Sequence, residues 1–218
     1  ALERWSQLLP VLETLAETLE ERGRTFHSVL KAGRTHLQDA VPIRLGQEFH
    51  AYGQAIRRSI RICQGTADEL CDLAIGGTAA GTGLNAPPGY REKMIEQLRM
   101  LTEFPLRSSF DLREAMQSRQ AVAAMSGALR ALALELIRIT NDLRLLASGP
   151  ATGLAEIELP AVQPGSSIMP AKVNPVMAEC LNMIAFQVVG NDTAIAIAVQ
   201  AGQLELNVMM PLMAHNLL

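Results

Sequence analysis

Gly165-Ser166-Ser167-Ile168-Met169-Pro170-Ala171-Lys172-Val173-Asn174-Pro175 gathers two hydroxyls, an ammonium and a carboxamide into one short polar stretch. Such a set suits the binding of an anion and the stabilisation of charge that develops on it. Asn174 before Pro175 predicts an N-cap followed by the first helical residue. The loop would then sit at the positive end of a helix, where anions are favoured. By spacing alone, a Ser-rich loop ahead of a helix more often does no more than cap it. Gly33-Arg34-Thr35-His36-Leu37-Gln38-Asp39-Ala40-Val41-Pro42 is a second dense polar set, with His36 able to donate or accept a proton. Spacing alone favours a solvated turn between two helices there. Gly76-Gly77-Thr78-Ala79-Ala80-Gly81-Thr82-Gly83-Leu84-Asn85 invites a phosphate-loop reading, but no Lys follows Gly81 and the glycines miss the GxGxxG order. A tight interhelical turn, or backbone packed close to a small ligand, fits it better. His27, His50 and His215 carry no supporting context. No HExxH or clustered Cys/His spacing is present, so neither a metal nor another cofactor is expected.

The elements that position these segments read as helices. Ala, Leu, Met, Glu, Gln and Arg dominate, and aromatic strand formers are scarce. No sustained period-2 alternation bounded by a hairpin turn pair is visible. Leu129, Leu132, Leu136, Ile139, Leu143 and Leu146 recur at alternating spacings of three and four, a coiled-coil seam. A helix over 111–146, capped by Asp111 and stopped by Ser148-Gly149-Pro150, would be about 54 Å long. Further helices are predicted over 11–32, over 47–75 and over 175–199. The 47–75 helix carries Phe49, Tyr52, Ile56, Ile60 and Cys63 on one stripe. The 175–199 helix is apolar nearly all round, from Leu181 and Met183 through Phe186 to Ile197, which predicts burial on every side. A chain this small can surround such a helix only with help from other subunits.

Composition narrows the function classes. The 218 residues are 49% hydrophobic, enough for a real core and far from a disordered chain. A net charge of −3 gives no electrostatic footprint for nucleic acid, and no basic run suggests an anionic membrane surface. The longest charge-free stretch, 73–90, contains five glycines and two prolines and reads as a loop rather than a membrane span. Three cysteines without a CxxC fit a reduced, cytoplasmic setting.

Taken together the polar segments resemble the aspartase/fumarase superfamily, whose signature is the GSSxMPxKxN loop. The resemblance covers essentially the whole chain and keeps the family's order. GRTHLQDAVP comes first, then GGTAAGTGLN, NDLRLLASGP, GSSIMPAKVNP and AGQLELNVM. It implies an all-α fold: a long antiparallel helical bundle, the L-aspartase-like central domain, forming part of a tetrameric helical core. By the same resemblance Ser166 matches the catalytic base. Lys172 and Asn174 match residues that bind a substrate carboxylate, with Met169 on the same loop. Thr35 and His36 match another carboxylate contact, and Glu179 the acidic partner of the histidine. Family sites combine segments from three subunits of a homotetramer acting on a small dicarboxylate, with no nucleic acid or membrane partner.

The chemistry accounts for these residue types. Removing a proton beside a carboxylate develops a second negative charge on that carboxylate. Lys172, Asn174, backbone N–H groups and a helix N-terminus can stabilise it. A serine is a poor base in water and needs a dry, electropositive loop, often one that closes over substrate. THLQDAVP, MPAKVNPV and AGQLELNVM look more like aspartases, whereas Gly76-Gly77 and Met209-Met210-Pro211 depart from the aspartase tendency. Ammonia release from L-aspartate is the leading expectation and fumarate hydration the alternative. The family chain is about twice this long, so 1–218 reads as the central helical domain without the N- and C-terminal small domains. A non-catalytic oligomerisation module, with no turnover by these 218 residues alone, is the expectation from a different class.

Overall fold

In the computed structural model, which describes every residue except Ser167 and Pro170, three long helices carry the core. They are α1 (Leu2–Thr25), α2 (Leu45–Glu69) and α5 (Gln120–Leu146). Between α1 and α2 lie the strands β1 (Leu30–Thr35) and β2 (Gln38–Arg44); between α2 and α5 lie β3 (Asp72–Leu73), α3 (Tyr90–Thr102), β4 (Arg107–Ser108) and α4 (Leu112–Gln117). After α5 a long connection leads to α6 (Val176–Gln200) and then α7 (Met210–Leu217). The all-α bundle is the architecture observed. Helix α1 packs on α2, α2 on α5, α5 on α6 and α6 on α7.

The apolar stripes read from sequence meet in one core. Leu12, Ala16 and Leu19 of α1 face Phe49, Tyr52, Ile56 and Cys63 of α2, and Leu132 and Ile139 of α5 close over them. Ile60, Leu129, Leu136 and Leu143 pack at its margin. Helices α1 and α2 approach closely because small residues face each other. A Cβ on Gly46 would overlap the Gly23 carbonyl oxygen and lie 2.9 Å from the His27 backbone, and one on Gly53 would lie 3.1 Å from the Ala16 carbonyl. Gly46→Ala is therefore expected to destabilise the fold by about 2–3 kcal/mol through overpacking against backbone that cannot yield. A lower denaturant midpoint measures it, and an unchanged midpoint contradicts the close-approach account.

Helix bounds differ from the sequence expectation where other backbone partners intervene. Helix α1 starts at Leu2 and runs through Pro10, because Trp5 is buried and its indole N–H donates to Gln64. It stops at Thr25 rather than near 32. The chain from Leu30 instead pairs antiparallel with β2, a hairpin the sequence reading missed. Helix α2 ends at Glu69 rather than near 75 because the next residues pair with β4. Of the segment 73–90, expected to be a loop, 74–89 is one, with Leu73 in β3 and Tyr90 starting α3. The expected helix over 111–146 is broken at Ser118 and Arg119. Asp111 does cap it, accepting from the Arg113 N–H at 2.8 Å. At the break the last carbonyls of α4 find other donors: Arg119 Nη1 donates to Ala115 and the Asn207 N–H to Met116.

Helix α6 is inverted relative to an ordinary amphipathic helix. It buries Asn182 and Asp192 against α5, together with Ala185, Ile195 and Ala198, and leaves Met183, Ile184, Phe186 and Ile197 more than half exposed. Ser126 Oγ donates to Asp192 Oδ1 at 2.6 Å, with Arg130 Nη1 3.1 Å from Oδ2. Thr140 Oγ1 donates to Asn182 Oδ1 at 2.5 Å, and Asn182 Nδ2 donates to Asn141 at 2.9 Å. Within one chain, then, α6 is not buried on every side; its polar side is satisfied and its apolar side is open. Length and composition alone would also let α6 cross a membrane.

Candidate functional site

The connection 147–175 between α5 and α6 is organised by backbone hydrogen bonds before any side chain acts. Ser148 caps α5 through Oγ to Leu145 O at 2.6 Å, and its carbonyl accepts the Ala155 N–H at 2.8 Å. This closes the segment 148–155 into a loop, with Gly153 lying on the Ser148 backbone and Ala155 in the left-handed region at φ 49°. Glu156 then returns to the end of α5, its N–H donating to Leu146 O at 2.8 Å, and Ile157 packs against the main core.

Beyond it the chain turns back on itself. A Cβ on Gly165 would lie 2.5 Å from the Lys172 carbonyl, so only glycine permits the two limbs to touch. Ser166 sits at that junction, half-buried, and its Oγ accepts the N–H groups of Ile168 and Met169, each at 3.2 Å. Two donors aimed at one oxygen favour its anionic form. Ala171 takes φ 68°, and the Lys172 N–H donates to Met169 O at 3.2 Å. Met169, Lys172 and Asn174 are exposed along the outer limb. A cleft of about 860 Å³ lies between this limb and the segment from Ala155 to Leu159, with Lys172 and Asn174 on one wall and Glu156 and Glu158 on the other.

One local expectation is corrected. Pro175, not Asn174, is the N-cap of α6, and no side-chain cap bond is made. The Asn174 carbonyl instead accepts the Val176 N–H at 2.8 Å, and Pro175 at ψ 52° stays outside the helix. Asn174 therefore keeps its carboxamide free of a capping role. Glu179 is in the first turn of α6, where a carboxylate suits the helix dipole, and its Oε1 lies 3.4 Å from Arg144 Nη2 of α5.

Thr35 and His36 lie at the tip of the β1–β2 hairpin, not between two helices. Thr35 pairs with Gln38, so His36 and Leu37 are the two turn residues, at φ 54° and 60°. Both in the left-handed region is the geometry of a two-residue hairpin turn, and neither is the Gly or Asn that usually fills it. Leu37→Gly is expected to stabilise the fold by about 0.5–1 kcal/mol, since the side chain is exposed and its backbone strain is relieved. A higher denaturation midpoint checks this. Among the described residues His36 makes no side-chain hydrogen bond and none joins it to Glu179. One chain thus brings Ser166, Met169, Lys172 and Asn174 onto a single loop, and holds Thr35 and His36 on a separate projection.

Charge links the hairpin to the start of the 147–175 connection, at the end of α5, through residues that sequence spacing did not single out. Glu156 lies 2.6 Å from both Lys31 Nζ and Arg34 Nη2, and Lys31 also reaches Glu48 of α2 at 2.8 Å. Burial alone would push the Glu156 carboxyl up, but the Arg34 and Lys31 cations outweigh it and hold it below its usual range. Their scatter over residues 31 to 156 has no period, so nothing in the sequence signals them. Among the described residues no group of His, Cys, Asp and Glu is arranged to hold a metal.

Residues 1–190 match the profile of the lyase family. An aspartate ammonia-lyase from Bacillus subtilis is 50% identical over 217 residues, covering 100% of this chain and 46% of its own length. A class II fumarate hydratase from Corynebacterium efficiens is 48% identical over 214 residues, covering 98% of this chain and 45% of its own. The chain therefore spans about half the length of the curated relatives it matches. Among solved structures, a fumarate lyase:delta crystallin from Brucella melitensis bound to cobalt superposes with TM-score 0.93 at 44% identity, covering 99% of this chain and 47% of its own. A class II fumarase from Schistosoma mansoni superposes with TM-score 0.92 at 39% identity, covering 96% and 47%.

Proposed function

Since this chain belongs to the lyase family, we propose that it serves the elimination of ammonia from L-aspartate to give fumarate. Proton abstraction is supported by the Ser166 oxygen, which accepts two backbone N–H groups in a loop that also presents Lys172 and Asn174, and the choice of L-aspartate by the aspartate ammonia-lyase at 50% identity. Ser166, as the alkoxide, takes a proton from the carbon beside the substrate's distal carboxylate. The electron pair left behind moves into that carboxylate, giving an aci-carboxylate dianion. Lys172 and Asn174, from the same loop, stabilise its added charge, and its collapse expels the amine from the neighbouring carbon. Thr35 and His36 hold the substrate's carboxylate from a hairpin, with Glu179 of another copy orienting the imidazole.

The physical support for sites shared among copies is the open apolar side of α6, whose Met183, Ile184 and Phe186 would otherwise face water. A homotetramer with α6 helices at its centre covers them. The three unpaired cysteines fit a cytoplasmic setting.

Fumarate hydration is the second reading, favoured by the class II fumarate hydratase at 48% identity and by Gly76-Gly77. Both reactions use the same proton abstraction and differ in the leaving group. Steady-state assays of the intact protein with L-aspartate and with L-malate, followed by fumarate absorbance, separate them. Ammonia release with little malate turnover supports the first reading. The reverse result replaces it, and turnover of neither overturns both.

A further inference from the structure

We propose that Glu156 is a positioning residue that ties the Thr35-His36 hairpin to the segment facing Lys172 and Asn174 across the cleft, so that the hairpin is held in a fixed relation to that wall of the site. The inference rests on the reading above that both segments contact substrate. On the hairpin side the tether is needed because the strands have little body beneath them. From Arg34 to Val41 every residue is half-buried or exposed, and only Gly33 of β1 is buried. Lys31, with its side chain 8% exposed, and Arg34 are the cations that point back toward the bundle, and the groups facing them are Glu48, Glu156 and Asp39. Glu48 can anchor the base of the hairpin only, through Lys31. Glu156 takes both cations at 2.6 Å, one on each carboxylate oxygen.

On the loop side Glu156 is rigidly mounted. Its N–H is bound to the last turn of α5, Ala155 before it is fixed in a left-handed turn, and Ile157 after it packs, half-buried, against the core. The same short segment forms the wall opposite Lys172 and Asn174 in the cleft. Among the described residues no other hydrogen bond or ion pair joins the hairpin to 147–175. Where copies share their sites, the hairpin and the loop of one chain serve different pockets. The Glu156 tether then sets the geometry of two neighbouring sites together.

The test uses the intact protein with Glu156→Ala, Glu156→Gln and Lys31→Met, read by steady-state kinetics and by amide hydrogen exchange of peptides 30–44 and 157–175. Glu156→Ala is expected to raise KM about 10-fold or more with kcat within about threefold, because a misplaced carboxylate contact weakens binding while Ser166 keeps its own amide donors. Exchange should accelerate in both peptides. Glu156→Gln, which keeps one acceptor oxygen but turns an amide NH2 toward the other cation, should recover only part of both effects. A purely structural role would lower kcat and melting temperature with KM unchanged, and that result overturns the proposal. Acceleration confined to 30–44, or in neither peptide, overturns it as well. Should Glu156→Ala fail to fold, Lys31→Met gives the same readouts with Arg34 still in place. If the wild type turns over neither L-aspartate nor L-malate, the catalytic reading fails, and the two-peptide exchange response decides the tether without it.

Discussion

Replacing Ser166 by alanine is expected to lower kcat by about 10²- to 10⁴-fold, the range associated with loss of a positioned base, while leaving the fold intact. The two halves of that expectation have separate causes. The Ser166 hydroxyl lies at the junction of Gly165 and Lys172, and its oxygen accepts two backbone N–H groups that favour its taking up the role of base. Its loss costs little stability because Ile168 and Met169 are exposed, so their N–H groups can turn to water. The change in unfolding free energy should stay within about 0.5 kcal/mol. Fumarate release in the steady state and a thermal melt measure the two quantities on one sample. Turnover within threefold of the wild type removes Ser166 from the chemistry.

Asn207→Ala should have the largest effect on stability, about 3 kcal/mol or more. Asn207 is fully buried at 0% exposure. Its Nδ2 donates to the carbonyls of Ala198 and Val199, the last turn of α6, at 3.1 and 3.0 Å, and its Oδ1 accepts the Met209 N–H at 2.9 Å. Its own N–H donates to Met116 O at the end of α4. One carboxamide thus closes α6, starts the approach to α7 and stands beside the break between α4 and α5. Truncation leaves three backbone groups without partners, each costing about 1–3 kcal/mol when buried. A drop in denaturant midpoint checks this, and Asn207→Asp, which turns a carboxylate oxygen toward the Ala198 and Val199 carbonyls in a fully buried site, should destabilise at least as much as alanine. Equal stability of the alanine variant contradicts the account.

That residue also shows what a motif reading omits. AGQLELNVM is part of the family resemblance, and in the fold its asparagine bonds the last carbonyls of α6. Ser148-Gly149-Pro150 was read as a stop signal, which it is, and the Ser148 hydroxyl and carbonyl further close the 148–155 loop. The Asn174-Pro175 pair predicts a cap one residue early, because spacing does not reveal that the Asn174 carbonyl accepts the Val176 N–H.

The helical class and the main core were legible because burial leaves a period. Phe49, Tyr52, Ile56 and Cys63, and Leu132, Ile139 and Leu146, repeat at intervals that only a helix brings to one side, and all of them are buried. The loop carrying Ser166, Lys172 and Asn174 was legible from residue types, since few segments concentrate such groups. Three features had no such signal. The hairpin of β1 and β2 has almost no buried face, so no apolar alternation marks it, and its turn uses His36 and Leu37 instead of glycine. The apolar helix α6 was visible, but not which side meets α5; Ser126 and Thr140 on α5 decide that by giving Asp192 and Asn182 their buried partners. Lys31, Arg34, Glu48 and Glu156 converge from three separate elements, and only the folded chain reveals that they meet. Periodicity records what is buried along one element. Contacts between elements leave no trace in spacing, and the placement of the hairpin against the loop depends on those alone.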